Sequence, residues 1–280
     1  MQVIGKIKSL FKPKKYNKVT IKLKNKFIVI IPVYNARDLI IDCITSLTNQ
    51  SFDDLGIIIR DDISTDGTDS IIRNFLNIEG NSSFTKFNNK DILFIRNDEK
   101  LYPVGNTYES VINNVENDNA IIGVVDGDDR LFSNEAVSKI FNLYEEKDKW
   151  MIWSQHINSD GTKGQSKPLP KDEVIYNNRN YWSVTHFRTS KAFLFNKLSK
   201  DDIMDPFKKD SYFRFSGDAA FLFPFIEMCG NEKSYFNDEI LYYYNNNLST
   251  NEHNKNLKKA LKYGDYIRKF SKKYKKLYAV

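Results

Sequence analysis

Two groups of carboxylates fall where chemistry could be done. Asp61-Asp62 directly follow the apolar run Gly56-Ile-Ile-Ile-Arg60, and Asp126-Gly-Asp128-Asp129 directly follow Ala120-Ile-Ile-Gly-Val-Val125. If both runs are strands of one parallel sheet, all five acids lie at its carboxyl edge, where such sheets bind ligands. Gathering like charges there is unfavourable unless a cation or hydrogen-bond donors compensate. A hard divalent cation, Mg²⁺ or Mn²⁺, held by one or two carboxylates and the phosphates of a substrate supplies that compensation. A reaction that expels a diphosphate uses such an ion as a Lewis acid for the charge that develops on the leaving group. A calcium loop of the EF-hand type is excluded, because the sixth and twelfth positions from Asp126 are Leu131 and Val137 where Gly and Glu are required.

The flanking sequence says which elements must position these acids. Phe27-Ile-Val-Ile-Ile31 reads as a buried strand, and Ala36, Leu39, Ile40, Cys43, Ile44 and Leu47 follow at helical spacing. A second strand and helix follow, the helix opening near Asp66 as N-cap with Asp69 in its first turn. Ile92 to Ile95 predicts a third strand, Gly105 to about Val115 a third helix, Ala120 to Val125 a fourth strand, and Ser133 caps a helix carrying Val137, Ile140, Phe141 and Tyr144. This alternation predicts an α/β fold with right-handed crossovers and a doubly wound, mainly parallel sheet with helices on both faces. From Trp150 the pattern turns aromatic and loop-rich through Trp182, followed by a helix from Gly217 to Glu227 and a strand from Glu239 to Tyr244. The chain thus divides into a basic arm (1–26), a first half (27–149), a second half packed on the same sheet (150–254) and a terminal basic helix (255–280).

Composition narrows the function. The 280 residues are 41% hydrophobic, enough for a sizeable core. Apolar runs such as Phe27–Ile31 fall far below the roughly 20 residues of a membrane span. Lys6, Lys8 and Lys12 interrupt the N-terminal apolar residues, so no secretory signal is read there and a cytoplasmic-facing location is expected. Two cysteines predict buried free thiols and exclude a disulfide framework. Residues 1–26 hold nine Lys and no acid, and residues 255–280 hold ten Lys or Arg and one Asp; positions 27–254 therefore carry 23 basic against 35 acidic residues, a net of −12. An acidic middle excludes a nucleic-acid groove there, since such a groove neutralises phosphates with Lys and Arg.

Taken together, Ile31-Pro-Val-Tyr-Asn35, Asp61-Asp-Ile-Ser-Thr-Asp-Gly-Thr68 and Val125-Asp-Gly-Asp-Asp129 resemble, in that order and spacing, the signature of the inverting family 2 glycosyltransferases, which have the GT-A fold. The resemblance covers about residues 27–145. It implies a nucleotide-diphosphate-sugar donor, in the first instance a UDP-sugar, with Pro32, Val33 and Tyr34 lining the nucleotide pocket, Asp62 at the base, Asp126 at the ribose and Asp128 on the metal. It also implies a general base opening a helix on the acceptor side, where Asp218 stands, and a metal-ligating His on a C-terminal loop, where His253 stands. Ile63 departs from the pattern by replacing the usual Gly, and Val104 to Glu109 occupy the place of the usual Ala-Arg-Asn segment, so sugar specificity is not inherited.

Plainer readings stand beside these. Asp218 could be a helix N-terminal acid favoured by the dipole, and His156, His186 and His253 could be ordinary surface or core residues. Trp153, Tyr181 and Trp182 could stack on sugar faces or fill a core. A sugar nucleotidyltransferase would carry a Gly-rich phosphate loop where this chain has Pro-Val-Tyr-Asn-Ala. A non-catalytic binding module is the alternative from another class. Leu257, Ala260, Leu261, Ile267, Phe270, Tyr274, Leu277 and Tyr278 form an apolar stripe among basic residues, echoed by Ile4, Ile7, Leu10 and Phe11. Such a helix either lies peripherally on an anionic membrane or packs on the catalytic domain or a second copy.

Overall fold

The computed structural model describes residues 21–177, 179–246 and 256–278. In chain order the first half comprises β1 (Phe27–Val33), α1 (Ile40–Thr48), β2 (Leu55–Asp61), α2 (Thr68–Leu76), β3 (Ser82–Phe87), β4 (Lys90–Arg96), α3 (Tyr102–Asn114), β5 (Ile121–Val124), β6 (Arg130–Leu131) and α4 (Ala136–Lys147). The second half adds β7 (Met151–Asn158), α5 (Asp172–Asn177), β8 (Arg188–Lys191), α6 (Phe193–Asn196), α7 (Gly217–Cys229), β9 (Ser234–Tyr244) and α8 (Leu257–Lys269). All nine strands join one sheet in the order β3-β4-β2-β1-β5-β8-β7-β9-β6. Its heart, β4-β2-β1-β5, is parallel, as the strand–helix alternation requires. The second half extends that heart through β8, which lies antiparallel to both β5 and β7, and through β9, which is parallel to β7.

Both faces of the sheet are covered. Along β1, Ile28 and Ile30 join one core with residues of α3 and α7, whereas Phe27, Val29, Ile31 and Val33 join the other with residues of α1, α2 and α4. The period of two along a strand buried on both sides produces this division. Cys43 and Cys229 are buried free thiols, and no helix among the described residues is long and apolar enough to cross a membrane.

Local caps follow the sequence in one case and depart from it in another. Asp66 accepts the Thr68 amide at 3.0 Å and the Arg37 amide at 3.1 Å, so it closes the start of α2 and ties it to the segment after β1. Ser133 does not cap α4: its hydroxyl has no partner among the described residues, and Gln50, from after α1, accepts the Val137 amide at 3.0 Å. A cap borrowed from 87 residues away leaves no local signature.

The C-terminal stripe divides. Ala260, Tyr263 and Ile267 of α8 are buried, the last two in the core shared with α3 and α7, while Leu257, Leu261 and Phe270 stay 50%, 60% and 71% exposed. The packing expected of the stripe therefore holds for one side of the helix. The N-terminal residues Ile4, Ile7, Leu10 and Phe11 lie outside the described residues.

Candidate active site

The end of β1 is the anchor of the site, because both acidic segments hydrogen-bond to it. Asp62 N donates to Val33 O at 2.8 Å, and Gly127 N donates to Pro32 O at 3.2 Å. Pro32 and Val33 are thereby buried, and Tyr34 emerges 43% exposed, with the Lys100 ammonium over its ring. Gly127 is needed for this approach: a Cβ there would come to 2.6 Å from Val33 Cγ2 and 2.7 Å from Val33 Cβ. Gly127→Ala should therefore lower stability by about 1–3 kcal/mol through overpacking, which thermal melting measures.

Asp61 and Asp62 turn inward. Asp61 is fully buried, ion-paired with Arg96 at 2.7 Å and accepting the Ser64 amide. Burial pushes its carboxyl above the usual range despite those partners. Asp62 accepts the amides of Leu101 and Tyr102 at 2.8 and 2.9 Å and the Asn97 side chain at 2.8 Å. Its carboxylate holds the 97–102 segment against β2, so the residue expected at the nucleotide base has both oxygens engaged by protein. Ile63 adopts φ +62°, the left-handed region that disfavours a β-branched residue. The Gly of the family pattern is thus a backbone requirement that this chain meets with strain.

The second acidic segment forms a cation-shaped corner. Ligand atoms of Asp126, Asp129 and His186 lie within 4.8 Å of one another. Tyr242 supports them from β9: its hydroxyl donates to Asp129 Oδ2 at 2.7 Å and accepts the Asp126 amide at 3.2 Å, while its ring stacks on His186. Burial raises the three acids of the segment; repulsion from Asp218 adds to it at Asp126, and repulsion from the neighbouring acids adds to it at Asp128, pushed up to about 6, and at Asp129, pushed well above its usual range. Burial, Arg188 and His156 push His186 well below its usual value, so its ring is neutral at pH 7 and fit to ligate. Its Nδ1 is buried with no partner among the described residues. Two carboxylates and a neutral imidazole suit Mn²⁺ or Mg²⁺. Asp128, the metal ligand expected from the resemblance, lies outside this trio and lines a cavity of about 120 Å³ with Asp42, Arg130, Tyr243 and Asp129 of the trio. His253 lies outside the described residues.

The corner shares His186 with a cavity of about 260 Å³ lined also by His156, Gln165, Trp182, Arg188, Asp218 and Tyr244, among others. Asp218 sits in the first turn of α7, with Oδ1 accepting the Ala219 amide at 2.9 Å and Oδ2 accepting Arg188 Nη1 at 2.9 Å. Arg188 also reaches Asp126, Nη2 to Oδ2, at 3.7 Å. Of the aromatic candidates, Trp182 lines the cavity, whereas Trp153 is core and donates to the Lys167 carbonyl. The sequence does not single out Arg188, because β8 is a four-residue strand, Arg-Thr-Ser-Lys, without an apolar run; His156 and His186, which it weighs as ordinary surface or core residues, line the cavity.

Solved structures share this architecture. A 1–349 fragment of S. aureus TarS in complex with UDP-GlcNAc superposes with a TM-score of 0.55 at 17% identity, over 80% of this chain and 59% of that one. A mannosyltransferase from Pyrobaculum calidifontis in complex with GDP-Man and Mn²⁺ gives 0.56 at 14%, over 88% and 64%. Glucosyl-3-phosphoglycerate synthase from Mycobacterium tuberculosis, with Mn²⁺, UDP-Glc and phosphoglyceric acid, gives 0.54 at 13%, over 85% and 77%. The chain spans about three fifths of the length of the TarS fragment. At these identities the likeness establishes the GT-A fold. No curated protein sequence matches. The family is set by the sequence itself: residues 28–203, which carry β1, both acidic segments, His186 and Arg188, match the model of Glycosyl transferase family 2, and the chain belongs to that family.

Proposed function

We propose that the protein transfers a sugar from a nucleoside-diphosphate donor, a UDP-sugar in the first instance, to an acceptor hydroxyl with inversion, using Mn²⁺ or Mg²⁺. The observation that carries this reading is that Asp218 and His186 line one cavity, with Arg188 joining Asp218 at 2.9 Å to Asp126 of the acidic corner at 3.7 Å. Asp126, Asp129 and His186 would hold the cation, with Asp128 beside them. Once bound, the ion supplies Lewis-acid stabilisation of the departing diphosphate. Asp218 takes the proton of the acceptor hydroxyl as that oxygen bonds to the anomeric carbon and the bond from that carbon to the diphosphate breaks. Attack from the face opposite the leaving group inverts the centre. Pro32, Val33 and Tyr34 would form the wall of the nucleotide pocket. Two of the three structures compared hold UDP-sugars, which supports starting with that donor.

The raised acids supply a test that needs no turnover. A carboxyl whose folded pKa lies above its unfolded value favours folding when protonated and loses that contribution as pH rises through the folded value. As pH rises through those raised values, about 6 for Asp128 beside the corner, the acidic segment gains uncompensated charge, and a cation takes the place of the lost protons. Mn²⁺ at 100 times its Kd, with UDP present, should stabilise the protein by about 2.7 kcal/mol, read as a rise in Tm at pH 7.5 that shrinks at pH 5. Asp126→Asn and His186→Ala should each abolish the rise. A full response in both variants, lost only in Asp128→Ala, would move the ion to the residue that the family resemblance favours. No response in the wild type would remove the metal from the proposal.

A further inference from the structure

Two arginines are buried in this chain, and they are used differently. Arg179 is fully satisfied: its guanidinium takes Glu227 in two hydrogen bonds of 2.8 and 2.7 Å and the carbonyls of Ile267 and Lys272 at 2.9 and 2.8 Å. That pattern belongs to a group that holds structure together. Arg188, 8% exposed, has only carboxylates as charged partners, Asp218 at 2.9 Å and Asp126 at 3.7 Å, and its Nε–H has no partner among the described residues. A buried guanidinium left partly unsatisfied is unfavourable for stability, so its retention calls for another use. Register fixes its place: on β8, Arg188 sits opposite Val124, two residues before Asp126, and opposite Trp153 on β7. The sheet therefore seats one cation at the cavity wall between an acid of the metal corner and the acid that opens α7.

The geometry points to Arg188 as a positioning residue for the transfer step, a role that rests on the assignment of Asp218 as the base. Arg188 bridges the two acids, Nη1 to Asp218 Oδ2 at 2.9 Å and Nη2 to Asp126 Oδ2 at 3.7 Å, so one guanidinium separates two carboxylates that would otherwise repel. One guanidinium edge holds Asp218 Oδ2 and leaves the carboxylate turned along the cavity wall. The planar fork provides both contacts at once, which a lysine ammonium on a single flexible stem does not reproduce. Arg188 acts through Asp218 and takes no proton itself.

A double-mutant cycle on the full chain tests this. Turnover is followed as UDP release from UDP-GlcNAc or UDP-glucose, whichever the wild type uses faster. Arg188→Lys is expected to lower kcat about 10- to 100-fold while leaving UDP affinity within about threefold, since an interaction made chiefly in the transition state shows in kcat. In an Asp218→Asn background the same change should remove at most about twofold more, because the two groups act as a unit. Equal loss in both backgrounds, or wild-type kcat in Arg188→Lys, would overturn the assignment. Arg188→Gln serves as the second variant, and failure of both to give a native near-UV spectrum would make Arg188 a folding element and also overturn it. If Asp218→Asn alone retains full turnover, the fault lies with the base and with the proposed function. If Asp218→Asn is inactive and Arg188→Lys is not, only the role of Arg188 falls.

Discussion

Asp218→Asn should reduce kcat about 10³-fold, within the range that a positioned general base contributes, while UDP and Mn²⁺ bind as in the wild type. The amide keeps the shape of the carboxylate and its carbonyl still accepts the Ala219 amide, a contact of 2.9 Å in the native protein. What it loses is the ability to take a proton and the charged contact of Oδ2 with Arg188, 2.9 Å in the native protein. The competing reading, a helix acid that only favours the N-terminus of α7, gives the opposite signature: a modest fall in Tm, about 0.3–1 kcal/mol for a dipole contact, with kcat unchanged. Product configuration completes the test. A retained anomeric centre would reject single displacement and, with it, the base role.

The largest effect on stability is expected at Glu227. This carboxylate and the Arg179 guanidinium are both fully buried, and the Tyr274 amide adds a third contact to Glu227 at 2.8 Å. Through Ile267 O and Lys272 O the same guanidinium ties α8 and the segment after it to α7. Glu227→Ala leaves the guanidinium buried and unpaired, and such losses are about 3–5 kcal/mol, a large part of the 5–15 kcal/mol that holds a typical domain together. Urea denaturation should show a lower midpoint with nearly unchanged slope. Replacing both partners, Glu227→Leu with Arg179→Met, should recover much of the loss, because no orphaned charge remains; a double variant as unstable as the single would refute the ion-pair account. The contact also limits how the basic tail is studied: truncation near residue 253 would expose this pair, so membrane contact is better probed by changing the exposed Leu261 or Phe270 to Asp.

The acids were legible in the sequence for a physical reason. Each group ends a continuous apolar run, and in a parallel sheet buried on both faces such a run is a strand whose carboxyl end meets the ligand. The helices that follow showed their spacing because each buries one stripe. What escaped is the other wall of the cavity. β7 and β8 read Met-Ile-Trp-Ser-Gln-His-Ile-Asn and Arg-Thr-Ser-Lys, polar strands buried inside a sheet, whose pattern shows neither alternation nor an apolar run. Their polar side chains are there to serve the site, so function erased the signal that would have placed them. The same holds for Asp62, whose partners Leu101 and Tyr102 lie 39 and 40 residues away.

The insertion of β8 between β5 and β7 bears on how this protein could be recombined. Because β8 pairs with a strand of each half, the two halves are not exchangeable cassettes. A chimera cut between α4 and β7 must rebuild the β5–β8 ladder from two ancestries, and a fragment that stops before β8 leaves the apolar edge of β5 open to another chain. Change is therefore best sought at single positions around the cavity, Gln165 and Trp182 among them, where a substitution leaves every strand of the sheet intact.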